Sequence, residues 1–272
     1  MNPPEIDLIR SPIRNCRQKC RFAIKGMHEL PAMNENENPE RIVHCMWEEG
    51  QPIVIVENFP IASIQIYNIM PILLNIIQSK EEYKCLVHGF SSVSYLSTLS
   101  ENIVITMNYD STNSDAFLQN IDNNYICQWK TKADNLLIEL MNQNIPNIQS
   151  ISLIGRMRGI KIIVGNDYVY ETLKLKDHRS LYYKQVEEGF SNPNSVVNQS
   201  ALDLLCSIVQ EFTAMNTSTT TSVNTDSSTG NTTSTNEIES ISLDTVSIRD
   251  TSSTTSTGCS NANTTTATGT VS

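Results

Sequence analysis

From Thr213 onward the sequence is built mostly of Thr, Ser and Asn, and that break limits what the chain can fold into. Residues 213–272 carry one weak apolar island, 238–248, too little to offset the conformational entropy that ordering them would cost. The tail is therefore expected to be disordered, and about 212 residues remain to build a core, the size of one large or two small domains. Asp226, Glu237, Glu239, Asp244 and Asp250 against Arg249 place −4 of the formal charge of −10 on the tail and leave −6 on the body.

A body of that charge argues against a strongly basic protein that grips nucleic acid regardless of sequence. One local basic run stands out. Arg14, Arg17, Lys19, Arg21 and Lys25 follow one another without a carboxylate between them. On composition alone this run reads as a solvated edge strand, which charge protects from pairing with other chains.

Seven cysteines are scattered along the chain, and the N-terminus lacks a basic region followed by an apolar run. Both point to free thiols and an intracellular, non-secreted protein. Cys16 and Cys20 have a spacing seen at zinc sites, but no second pair follows and His28 and His44 are not placed to complete one, so no metal is expected. Residues 61–77 come nearest to a membrane span, yet Asn68, Pro71 and Asn75 interrupt them, and no membrane partner is expected.

Hydrophobic periodicity predicts strands at 20–26, 41–47, 51–57, 87–96, 102–109, 148–154, 159–164 and 168–173, with Glu48-Glu49-Gly50 as a hairpin turn. Residues 61–77 are apolar on nearly all sides and predict a buried helix that Pro71 kinks or restarts. A stripe of Trp129, Ala133, Leu136, Leu137 and Leu140 predicts a helix over 129–142. Residues 29–40 and 110–124 are polar and read as loops. Gly155-Arg-Met-Arg-Gly159 reads as a tight hairpin with its arginines in water, and 181–212 as strand, turn and helix. Strand pairs alternating with helices give an α+β fold with a largely antiparallel sheet.

Five blocks then resemble one family, the tRNA (uracil-5-)-methyltransferases of bacterial type that act on the T-arm. They are Arg17-Gln-Lys-Cys-Arg-Phe22, Glu57-Asn-Phe-Pro-Ile-Ala-Ser63, Tyr95-Leu-Ser-Thr-Leu-Ser100, Leu153-Ile-Gly-Arg156 and the segment 183–198. They occur in the family's order and cover roughly residues 11–212, the family's substrate-binding half.

The resemblance implies an RNA-recognition domain over 1–180, a connector over 181–212 that would lead into a Rossmann-like methyl-donor domain, and the tail over 213–272. It implies transfer of a methyl group from S-adenosylmethionine to C5 of a uracil lifted from the RNA stack, after a cysteine thiolate adds to C6 and before a glutamate takes the C5 proton. The donor loop, the cysteine in its Ser-Cys-Asn-Pro context and the glutamate would lie beyond residue 212, where this sequence has none of them. Cys259 sits in Thr-Gly-Cys-Ser-Asn, which does not match. No catalytic residue is assigned. The chain is expected to be truncated, inactive alone, and dependent on a partner chain carrying the donor domain.

By the same resemblance Arg17, Lys19 and Arg156 would contact tRNA phosphates, and Phe90 and Phe190 would stack on bases, Phe190 beside the flipped one. Asn192 stands where the family has a Gln that helps hold the donor, one methylene longer. Ala23 replaces a family Arg. Two other outcomes stay open: a non-catalytic RNA-binding or interaction protein on the same scaffold, and a gene fragment without a stable fold.

Overall fold

The computed structural model describes residues 8–30, 38–46, 49–109, 122–157 and 159–221. The chain divides into two units, Met1–Thr213 and Ala214–Ser272, and of the second only residues 214–221 are described. The polar loop at 110–121, much of 29–40, Glu48 of the predicted turn, Arg158 and the tail beyond 221 lie outside the described residues.

The first unit is built on a seven-stranded sheet: β1 (Lys19–Gly26), β2 (Ile42–Met46), β3 (Val54–Ile55), β4 (Phe90–Ser97), β5 (Asn102–Tyr109), β6 (Ser150–Met157) and β7 (Ile160–Val164). Their order is β3-β2-β1-β4-β5-β6-β7. Every neighbouring pair is antiparallel except β5 and β6, whose parallel pairing needs a crossover helix. That helix is α3 (Asn123–Asn142); α1 (Ile64–Ser79) and the short α2 (Lys84–Val87) precede it. The fold is α+β, as expected, with a mixed but mostly antiparallel sheet.

Alternation sorts each strand into two faces. Phe22 and Ile24 of β1, Val93 and Tyr95 of β4, Ile103 and Ile105 of β5, and Leu153 of β6 join one core with the helices, which bring Ile66, Ile69, Leu73, Trp129 and Leu136. Opposite them the sheet is polar and basic. The register sets Ala23, Ser92, Asn108, Arg156 and Lys161 in one row, and Arg21, Ser94 and Thr106 in the next. A two-stranded ribbon, β8 (Tyr168–Lys174) and β9 (Ser180–Val186), covers one end of this face, where Val169 packs on Leu96, Val104 and Ile154. α4 (Ser195–Thr221) follows.

Several expectations are corrected. The basic run is no edge strand: β1 pairs with β2 and β4, and its cations emerge from the polar face of an interior strand. Pro71 neither ends nor restarts α1, which Ser63 caps by accepting from the amide of Ile66. The strand expected at 87–96 starts only at Phe90: Val87 closes the helical turn 84–87, and Gly89, at φ +72°, turns the chain into β4. β6 runs on through Arg156 and Met157, so the hairpin turns only at Gly159, at φ +78°. The boundary expected at 180/181 cuts the β8–β9 ladder, where Tyr168 pairs with Val186, so both sides of it belong to one unit. α4 ends at Thr221 instead of Phe212, nine residues into the Thr-rich segment.

Candidate nucleic-acid interface

All five blocks that carried the resemblance meet around the turn between β9 and α4, residues 187–194. Residues 15–17 run alongside 60–62, with the amides of Cys16 and Arg17 donating to the carbonyl of Ile61. The amide of Gln18 donates to the carbonyl of Pro193 at 2.7 Å, and its own carbonyl accepts from the amide of Ser97 at 2.9 Å. Ser97 Oγ lies 2.7 Å from Ser63 Oγ. Lys19 Nζ donates to the carbonyl of Gly189 at 3.0 Å.

Two buried carboxylates fasten the turn from either side. Glu171 of β8 accepts from Ser195 Oγ (2.9 Å), the amides of Leu99 (2.9 Å) and Thr172 (3.0 Å), and Gln18 Nε2 (3.2 Å). Ser195 Oγ also lies against Gln18 Oε1. Burial pushes the Glu171 pKa up, and these hydrogen bonds hold it back only in part. Glu187, at the end of β9, accepts from Arg156 Nε at 3.0 Å and Thr106 Oγ1 at 2.8 Å, with Lys161 Nζ at 3.7 Å. Burial opposes its ionisation too, but the hydrogen bonds from Arg156 and Thr106 outweigh it and set its pKa below the ordinary carboxylate value. Arg156 Nη1 reaches Glu188 at 3.0 Å as well.

The turn so held presents Phe190 with its ring fully exposed. Beside it an open groove of about 660 Å³ is lined by Tyr183, Lys184, Val186, Phe190, Asn192 and Pro193 among others. Asn192 Oδ1 accepts from the amide of Asn194, and Asn194 Oδ1 caps α4 by accepting from the amide of Val197.

The structure thus groups Lys19, Arg156, Phe190 and Asn192 around one turn, with exposed Arg17 two residues from Lys19 and its Nε bonded to the Lys19 carbonyl. Phe90 is apart from them and corrects the expectation. It is 6% exposed, at the far end of β4, packed on Tyr109 with ring centroids 5.9 Å apart, so neither ring face is open to a base. Arg156 also departs from the expected hairpin tip, since its guanidinium is occupied by Glu187 and Glu188.

Gln18, Glu171, Glu187 and Ser195 do structural work that the sequence reading did not single out. Glu171 had a legible signal: strand alternation puts it on the same face as Val169 and Leu173, an inward carboxylate that must find partners. No group of three or more metal-ligating side chains occurs among the described residues. Cys16 and Cys20 each direct Sγ to a backbone carbonyl, of Ile61 and Arg17.

The family described as tRNA (Uracil-5-)-methyltransferase matches residues 2–216. The chain belongs to this family. It is 30% identical over 202 residues to a tRNA/tmRNA (uracil-C(5))-methyltransferase of Aeromonas salmonicida, covering 74% of this chain and 45% of that protein. Proteins of the same description from Actinobacillus pleuropneumoniae and Neisseria meningitidis are 32% and 30% identical, covering 74% and 76% of this chain and 48% of each relative. This member of the uracil-5-methyltransferase family spans about half the length of the curated relatives it matches. No helix among the described residues is long and apolar enough to cross a membrane.

Proposed function

We propose that this chain recognises the T-arm of tRNA for C5 methylation of uridine, as the substrate-gripping part of a uracil-5-methyltransferase. The observation that carries this reading is the bare Phe190 ring, held out on a turn that Lys19, Arg156 and Glu171 secure to the sheet. A base drawn out of an RNA loop loses its stacking partner, and an exposed, pre-positioned aromatic face replaces it. Arg17 and Lys19, at the head of the basic strand, lie close enough to that turn to meet phosphates of the same loop. Arg156 acts through Glu187, holding the turn rather than the RNA.

S-adenosylmethionine is the donor the family resemblance implies, but the residues here do not fit it. The groove at Phe190 is an open surface lined by Lys184 and no carboxylate, a poor setting for a cationic sulfonium. Asn192 already spends its carbonyl on Asn194. We therefore place the groups that transfer the methyl outside the described residues. An exposed apolar stripe on α4 (Leu205, Ile208, Val209 and Phe212, at i, i+3, i+4 and i+7) gives a surface for the protein that carries them.

Phe190→Ala is expected to weaken binding of a T-arm hairpin by about tenfold or more, with the melting temperature unchanged because the ring buries nothing. Anisotropy titration and thermal circular dichroism read the two effects. Equal affinity would remove Phe190 from the site. Incorporation of labelled methyl into the hairpin by this chain alone would overturn the assignment of transfer to groups elsewhere.

A further inference from the structure

The outward face of the β8–β9 ribbon carries a pattern that the T-arm reading does not use. Strand alternation puts Val169, Glu171 and Leu173 inward, buried, and leaves Tyr168, Tyr170, Tyr182 and Lys184 outward. Tyr182 is 76% exposed and Tyr170 56%. The register sets Lys184 opposite Tyr170 and Tyr182 opposite Thr172, so the two exposed rings are diagonal neighbours across the ladder. Lys184 Nζ lies 4.0 Å from the centroid of Tyr168, and Tyr168 meets Tyr170 edge to face at 5.3 Å. Thr172, Lys174, Ser180 and Val186 complete this face; none of its strand residues is a carboxylate, and the nearest acid is Asp167, just before β8, which pairs with Lys161 and also feels Lys184. In a chain of formal charge −10, two lysines among three tyrosines with no carboxylate in the strands' outward row form a local exception.

Cross-strand packing of the ribbon accounts for Tyr168, which is half-buried, but not for Tyr182, whose ring contributes little contact while exposing a large apolar surface. Aromatic rings alternating with cations suit unpaired nucleotides, because every base has a face to stack and every linkage a phosphate to neutralise. The ribbon is also continuous with the groove at Phe190, since Lys184 and Val186 belong to both.

We infer that the outward β8–β9 face is a stacking platform for single-stranded nucleotides flanking the hairpin that the Phe190 turn receives. This inference rests on the RNA-binding reading above and extends the contact along the same molecule.

The test uses the full chain and three labelled RNAs: a T-arm hairpin, the same hairpin with ten unpaired uridines at either end, and a uridine decamer. The unpaired uridines are expected to tighten hairpin binding about tenfold. Tyr170→Thr with Tyr182→Thr, which keeps strand propensity, is expected to abolish that gain and leave the bare hairpin unaffected. Decamer binding lost in the double variant, with no binding of the bare hairpin, supports the platform and overturns the T-arm reading. A bound hairpin that gains nothing from the extensions, or keeps the gain in the double variant, overturns the platform alone. Binding of none of the three RNAs overturns both. Circular dichroism melts verify that the double variant remains folded.

Discussion

Arg156→Ala is expected to lower the stability of the first unit by about 3 kcal/mol, a large share of what a domain this size possesses. The guanidinium is the main partner of Glu187, whose side chain is 6% exposed, and without it the carboxylate retains only the Thr106 hydroxyl and the more distant Lys161. Arg156→Lys should recover only part, because an ammonium cannot reproduce two parallel hydrogen bonds. Adding Glu187→Gln to Arg156→Ala should restore most of the loss, since the second change removes the stranded charge. Urea unfolding of the single and double variants measures this coupling. Strict additivity would sink the claim that the pair acts as a unit.

The same pair sets a pH dependence. Glu187 has a folded pKa below its unfolded value, so its contribution is fully present above the ordinary carboxylate pKa. It is lost as pH falls through the depressed folded value. Wild type should therefore lose more stability on acidification below about pH 4 than Arg156→Ala does. Parallel curves for the two proteins would contradict the assignment.

The second large effect concerns the glycine of the same Leu-Ile-Gly-Arg block. A Cβ on Gly155 would stand 2.6 Å from Trp129 Cζ2, so the indole of α3 lies directly on the β6 backbone. Trp129 is fully buried and donates Nε1–H to Tyr109 Oη at 2.8 Å; Tyr109 in turn donates to the carbonyl of Leu86. Trp129→Ala should cost about 3–5 kcal/mol, by leaving a cavity and by removing the donor to Tyr109. Gly155→Ala should cost about 1–3 kcal/mol, unusually much for one methyl group, because neither the ring nor the backbone under it has room to yield. Combining Gly155→Ala with Trp129→Leu should be less harmful than the two separate losses predict. Thermal melts read all three, and an unchanged melting temperature for Gly155→Ala would disprove the close approach.

Much of the architecture was legible because each element carried its own period. The apolar runs of β4 and β5, the stripe of α3 and the all-round apolar run of α1 each depend on neighbours a few residues away. Errors arose where a distant contact decided the outcome. Val87 read as the start of a strand because it is apolar, whereas it closes a helical turn whose Leu86 is packed into the core. The basic run read as an edge because charge on a strand suggests one, yet β1 gains partners on both sides from segments 20 and 70 residues away. Phe190 and Phe90 were indistinguishable as letters. One stands bare on a turn and the other lies under Tyr109, because β4 extends far enough to carry Phe90 into the ladder.

What the amino-acid order determined by itself was most of the elements and the five blocks that mark the family, all of them properties of short windows. Only the tertiary structure decided that those blocks share one place. Hydrogen bonds from Lys19 to Gly189, from Gln18 and Ser195 to Glu171, and from Arg156 to Glu187 join residues separated by as many as 170 positions. Such contacts leave no local period, because a buried carboxylate needs a partner within hydrogen-bond reach in space and places no condition on how far along the chain that partner lies.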